Sequence, residues 1–285
     1  MSVYEQTPDG PGSPAHRADS LTTLYALSRL SDVLLLSFQP EADPAWDTPW
    51  EHWLDLVGTD WPAITREQYL ELFTALGMSP ITDLRFDPLL HEIVEIVEVD
   101  QADDADAPIT VSDPVWPGLM LGQMVFARAG VKVRAGVNHA QRGIADRSPL
   151  YWTFLRRHRP AIDLSGAWGR YSEWDTDFRR DYRADHVQHL NVDVTGDVEA
   201  DDPRDGDLPP LLTRSERRDL VRHRCLLRTP DNRAALEATD PHWGTNLWPF
   251  YWALTVSLPG NHAGLGGHSY PSSRANSAEP PQISA

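Results

Sequence analysis

The segment Ser172–Val194, SEWDTDFRRDYRADHVQHLNVDV, decides the fold class. Apolar and polar residues alternate along it with the period of two that belongs to β-strands. Trp174, Phe178 and Tyr182 share one face of a first strand, and Leu190, Val192 and Val194 share one face of a second. The segment therefore reads as a β-hairpin with one apolar and one polar face. A two-residue turn at Ala184-Asp185 would set the aromatic face against His189 and Asn191. A three-residue turn through His186 instead pairs Tyr182 with Gln188, Phe178 with Val192 and Arg180 with Leu190, which restores an apolar face. The longer turn is expected. The opposite face then pairs Asp181 with His189, Arg179 with Asn191, and Asp177 with Asp193.

Upstream of the hairpin the texture is first helical. Ser20 or Asp19 can cap a helix running to about Phe38, with Pro40 past its end. TPWEHWLDLVG begins a second helix, with Thr48 as N-cap, Pro49 at the first helical position and Glu51 closing a capping box. ITREQYLELFTALG begins a third, capped by Thr65 with Gln68 reaching back, stapled by Ile64 and Tyr69, and ended at Gly77. After Pro80 strands take over. HEIVEIVEV at 91–99 is rich in β-branched residues, and LMLGQMVFARAGVKVRAGV at 119–137 reads as two strands around an Ala-Gly turn. PLYWTFLRRHR at 149–159 is a short helix or an apolar strand. TRSERRDLVRHR starts a helix with a capping box from Thr213 to Glu216, and WPFYWALTVSLP at 248–259 is an apolar strand. Helices first and strands later imply an α+β fold with a mainly antiparallel sheet. Residues 1–19 and 259–285, rich in Pro, Gly and Ser, read as flexible tails. Residues 20–80 form the helical segment and 81–258 the α+β core, joined in one domain.

Composition bounds what such a fold can do. The chain of 285 residues carries 25 basic and 42 acidic side chains, a net charge of −17. That field repels nucleic-acid phosphates and anionic lipid heads, so a macromolecular partner is expected to be basic, with no nucleic acid and no membrane. Much of the acid sits in two loops, DQADDADAP and DVEADDPRDGDLPP. Lys132 is the only lysine, so an amine nucleophile has one candidate. Cys225 is the only cysteine, which rules out an internal disulfide and a cysteine-based zinc cluster. If its helix continues that far, Cys225 lies four residues after Val221 on the apolar side, as a buried structural thiol would. The N-terminus lacks the pattern of a signal peptide, and VLLLSF at 33–38 is too short to span a bilayer, so the expected location is the cytoplasm.

Candidate chemistry centres on the hairpin. Two carboxylates directly opposite each other repel unless they are solvated, one is protonated, or a cation lies between them. Asp177 and Asp193 with His189 are thus the candidate ligands of a hard divalent metal, and Asp181 joins them as a candidate catalytic residue. The competing reading is a solvated sheet face on which Arg179 and Arg183 soften the repulsion. His186 and His189 point to opposite faces of a strand, so their spacing does not bind zinc. An EF-hand reading of DDPRDGD fails, because position twelve counted from Asp201 is Leu212. GNHAGLGGH lacks the Lys-Ser or Lys-Thr and the helix of a phosphate loop. Trp50, Trp53 and Trp61 could form a recognition surface, although core packing is the commoner use of aromatics at helical spacing.

RYSEWDTDFRRDY, together with HEIVEIVEV and LVRHRCLL, resembles segments of uncharacterised proteins of GC-rich actinobacteria, over about residues 80–230. The resemblance implies no activity and no catalytic residues. The favoured expectation is a non-enzymatic, acidic, cytoplasmic binding protein without a cofactor. Its partner would be a basic protein, and its specific form an immunity-type or accessory role. The alternative is a metal-dependent hydrolase built on Asp177, Asp181, His189 and Asp193.

Overall fold

The computed structural model describes residues 14–39, 63–97, 104–147, 180–194, 196–200, 211–239, 241, 243, 247 and 249–258. Among them are four helices, α1 (Pro14–Leu35), α2 (Arg66–Ala75), α3 (Arg214–His223) and α4 (Arg233–Thr239). The strands are β1 (Ser79–Pro80), β2 (His91–Ile96), β3 (Thr110–Trp116), β4 (Leu119–Leu121), β5 (Met124–Ala127), β6 (Ala129–Arg134), β7 (Asp181–Ala184), β8 (Val187–Leu190) and β9 (Leu254–Ser257). They form a six-stranded sheet in the order β1-β4-β5-β7-β8-β9 and a three-stranded sheet in the order β2-β6-β3. Every pairing is antiparallel except β2 with β6. The fold is α+β and mainly antiparallel, as the texture of the chain predicts.

The chain crosses between the sheets at two corners. β5 and β6 are separated only by Arg128, so one run of chain leaves the large sheet and enters the small one there. β3 and β4 make the reverse crossing through Pro117 and Gly118. The two corners lie against each other. A Cβ on Gly118 would stand 2.5 Å from the Ala129 nitrogen, so only glycine fits. The expectation of two strands over 119–137 is corrected here to three. The tight turn is Gly122-Gln123, with Gly122 at φ +59. Ala129-Gly130 does not turn but lies inside β6, because the buried Trp116 ring packs flat on it. Trp116 is anchored by its indole N–H, which donates to the Arg128 carbonyl at 3.0 Å.

Helices α1 and α2 cover one face of the large sheet. Leu34, Leu35, Tyr69, Phe73, Val94, Trp116, Leu119, Met124 and Phe126 form the shared cluster. Each fully buried large side chain in it contributes about 1.5–3 kcal/mol by leaving water. The Tyr69 and Ser31 hydroxyls share a 2.7 Å hydrogen bond that joins the two helices. The Thr65 capping box of α2 forms as predicted, Ile64 and Tyr69 pack in the same cluster, and Gly77 closes the helix region at φ +85. Helix α1 departs from expectation at its start. It begins at Pro14, so residues 14–19 belong to a helix and not to a tail. Proline is tolerated in a first turn, where its missing N–H would have no helical partner. β2 occupies the first part of the predicted 91–99 strand, α3 carries the predicted Thr213 capping box, and β9 the later half of the predicted 248–259 strand. The expected helix at 48–58 and the element at 149–159 lie outside the described residues.

Candidate functional site: a buried carboxylate held by two arginines

The β7–β8 hairpin turns more tightly than expected. Ala184 pairs with Val187, Arg183 with Gln188 and Tyr182 with His189, around the two-residue turn Asp185-His186. Asp185 adopts φ 49, in the left-handed region that Asp tolerates better than most residues. The predicted three-residue turn is therefore wrong by one position in register. One step of register reverses the faces. Asp181, Arg183, Gln188 and Leu190 now share a face with Val125, Leu254 and Val256, directed at the core beneath α3. On β7 the side read as polar, with Asp181 and Arg183, is therefore turned inward, whereas on β8 it is the expected side, with Leu190, that faces the core.

Asp181 is the centre of that interior. Its Oδ2 accepts from Arg128 Nη2 at 2.9 Å and from Arg224 Nη2 at 2.6 Å, and its Oδ1 accepts from the Asn191 N–H at 2.9 Å. All three charged side chains are about 7% exposed or less. Burial alone would push the Asp181 carboxyl up, but Arg224 and Arg128 together hold it below the ordinary carboxylate range. Burial pushes the Arg224 guanidinium down to about 10 in spite of its contact with Asp181. Arg224 reaches the site because it ends α3 at φ 61, and its guanidinium lies 4.4 Å from the centre of the Phe250 ring. Arg128 stands at the corner between the sheets and also donates to the carbonyls of Pro88, at 2.7 Å, and Arg222, at 3.0 Å. Through this one carboxylate the large sheet, the corner, the approach to β2 and the end of α3 are tied together.

A second carboxylate adjoins it along the same hairpin. Asp87 accepts from Arg183 Nη2 at 2.8 Å, from Gln188 Nε2 at 3.1 Å on both oxygens, and from the Leu89 N–H at 3.0 Å. The Asp87 N–H donates to His91 Nδ1 at 3.0 Å, which leaves Nε2 to carry the proton toward the Asp83 carbonyl at 2.9 Å. Phe86 lies between the rings of His91 and His223, with both centroid separations 6.0 Å. Burial, reinforced by Arg222 and Arg128, pushes His223 down to about 3, so its imidazole is neutral at ordinary pH. Cys225 is fully buried, as expected, and burial pushes its thiol up, away from reactive thiolate; the helix expected to bury it ends at His223, however, and the chain reverses at Arg224 before reaching it.

The other predicted site residues that lie among the described ones do not converge. His189 lies on the opposite face from Asp181, with Nδ1 3.3 Å from Thr255 Oγ1, so the expected Asp181–His189 pair is absent. Asp193 binds Arg180: both oxygens lie 3.0 Å from Nε, a further contact comes from Nη2, and the backbone N–H donates to Oδ2 at 3.1 Å. That hydrogen bonding to Asp193 raises the Arg180 guanidinium. Asn191 is not on the polar face either: at φ 53 it turns inward, and its Nδ2 donates to the Pro249 and Trp252 carbonyls at 2.9 and 2.8 Å. Asp177, Arg179, Trp50, Trp53 and Trp61 lie outside the described residues. Among the described residues no group of three or more His, Cys, Asp or Glu is placed to hold a metal ion.

Sequence reasoning missed Arg128, Asp87, Gln188 and the role of Arg224. The run LVRHRCLL shows a helix and a thiol but no sign that Arg224 is an interior cation. Nothing local marks Arg128, whose partner is 53 residues away.

The fold and site together define a two-sheet α+β protein with an internally neutralised carboxylate centre. No family model, no curated protein and no solved structure matches the chain. No helix among the described residues is long and apolar enough to cross a membrane.

Proposed function

We propose that this chain is a non-enzymatic, acidic, cytoplasmic binding protein for a basic protein partner, with an immunity-type or accessory role. The observation that carries this reading is the placement of charge. The described residues hold 18 basic and 21 acidic side chains, a net of −3, whereas the whole chain is at −17. The excess of negative charge therefore falls on the remaining positions, above all 40–62, 98–103 and 201–210. Such concentrated acid steers basic surfaces toward itself and raises association rates. The carboxylates of the hairpin interior are meanwhile committed elsewhere. Asp181 answers Arg128 and Arg224, and on the outer side Asp193 answers Arg180, so these two carboxylates lend less support to the alternative, a hydrolase built on Asp177, Asp181, His189 and Asp193.

The test is capture of interacting proteins from the native host with the full chain as bait, followed by titration of each captured protein. A basic partner whose affinity falls steeply with added salt supports the reading. Capture of no basic protein, or binding indifferent to salt, overturns it. Melting with and without Mg²⁺, Mn²⁺ or Zn²⁺ tests the hydrolase separately. A rise in midpoint that disappears in Asp177→Asn/Asp193→Asn would favour that alternative.

A further inference from the structure

Three arginines are buried among the described residues: Arg128, Arg217 and Arg224. Arg128 and Arg224 share Asp181. Arg217, on α3 and 4% exposed, has no carboxylate partner among the described residues. Its Nη1 donates to the Ala200 carbonyl at 3.2 Å, and its guanidinium lies 5.7 Å from the centre of the Trp252 ring. Its Nε is sealed from solvent and has no acceptor. Glu199 feels the charge of Arg217, but both its oxygens are taken by Arg218 Nε and Nη2, at 2.5 Å each. A buried guanidinium whose Nε has no acceptor is an unfavourable arrangement by itself. The edge left over is Nε with Nη2, the same edge Arg218 uses to grip a carboxylate in a two-point fork. Arg214 and Arg218, both exposed, flank it along α3 and add positive potential at the helix's positive end.

We infer that Arg217 anchors an anion-binding site that takes a carboxylate or phosphate group on its Nε–Nη2 edge. The inference is independent of the proposed partner. The experiment uses the full chain and inorganic phosphate, with ionic strength held constant by chloride. Phosphate at about 100 times its Kd should raise the melting midpoint by about 5 °C or more. The rise should vanish in Arg217→Gln and persist in Arg218→Gln. In the wild type, the Arg217 Nε–H resonance, assigned through its own side-chain carbons, should move as phosphate is added. An equal rise in Arg217→Gln would overturn the inference. So would a wild-type midpoint and an Nε–H resonance that both ignore phosphate, which would leave Arg217 a structural cation serving Ala200 and Trp252. If Arg217→Gln does not fold, the wild-type resonance decides alone.

Discussion

Asp181→Asn is the sharpest perturbation of this molecule, because one neutralised oxygen leaves two buried guanidiniums facing each other. Removing one partner of a buried ion pair costs about 3–5 kcal/mol, since the remaining charge stays desolvated. Here two charges stay behind, while the Asn side-chain oxygen can still accept from the Asn191 N–H, which places the cost near 3–4 kcal/mol. That is a large part of the roughly 5–15 kcal/mol that holds a domain together. With an m-value of about 2–3 kcal/mol/M, the urea midpoint should fall by about 1–2 M. Adding Arg224→Met removes one stranded cation, so the double variant should lose less than the sum of the single losses, by about 1–3 kcal/mol. The pH dependence has a definite sign. The folded Asp181 carboxyl lies below its unfolded value, so its contribution is complete above the unfolded value near 3.8 and is lost as pH falls through the folded one. The difference between wild type and Asp181→Asn should therefore shrink only in acid. A loss under about 1 kcal/mol, or strict additivity with Arg224→Met, would refute the claim that this ion pair ties the sheets to α3.

Three further predictions rest on other parts of the fold. His223 is held neutral in the folded state down to about 3 but titrates near 6.5 when unfolded, so the unfolded chain binds the extra proton between those values. Its contribution to stability should fall by up to about 1.4 kcal/mol per pH unit on acidification through that window, and His223→Phe, which keeps a ring against Phe86, should flatten the slope in denaturation series. Gly130→Ala places a methyl 2.2 Å from the Trp116 ring, so it should lower the melting midpoint by an amount equivalent to about 3 kcal/mol or more, whereas Gly122→Asn, at a turn open to solvent, should cost under about 1 kcal/mol. Asp185→Gly should leave stability within about 1 kcal/mol of wild type, but Asp185→Val should cost about 1–2 kcal/mol by forcing a β-branched residue to positive φ; equal urea midpoints for the two would show that the turn is not as described.

Local chemistry was legible wherever a few neighbouring residues contain the whole interaction. The capping boxes at Thr65–Gln68 and Thr213–Glu216 close within four residues, and both helices start where they predict. The strand at His91–Ile96 follows from its own β-branched residues, and the α+β class from the order of helical and alternating stretches. The hairpin at 181–190 marks the boundary of that legibility. Alternation established that its strands have two faces, and turn propensity placed the reversal within a residue of the truth. Which face is interior depends on groups the segment does not contain. Asp181 can be buried only because Arg128, 53 residues earlier, and Arg224, 43 residues later, arrive to neutralise it. Asp87, nearly a hundred residues upstream, does the same for Arg183 and Gln188. A carboxylate by itself belongs in water, and a period-two pattern read alone sends it there. Once the tertiary fold brings two guanidiniums within hydrogen-bonding distance, the desolvation penalty is offset and Asp181 can face the core. Secondary structure and fold class were thus determined by the sequence near each element, and the location of charge by the tertiary structure, because the energy of a buried charge depends on its partners and not on its neighbours in the chain.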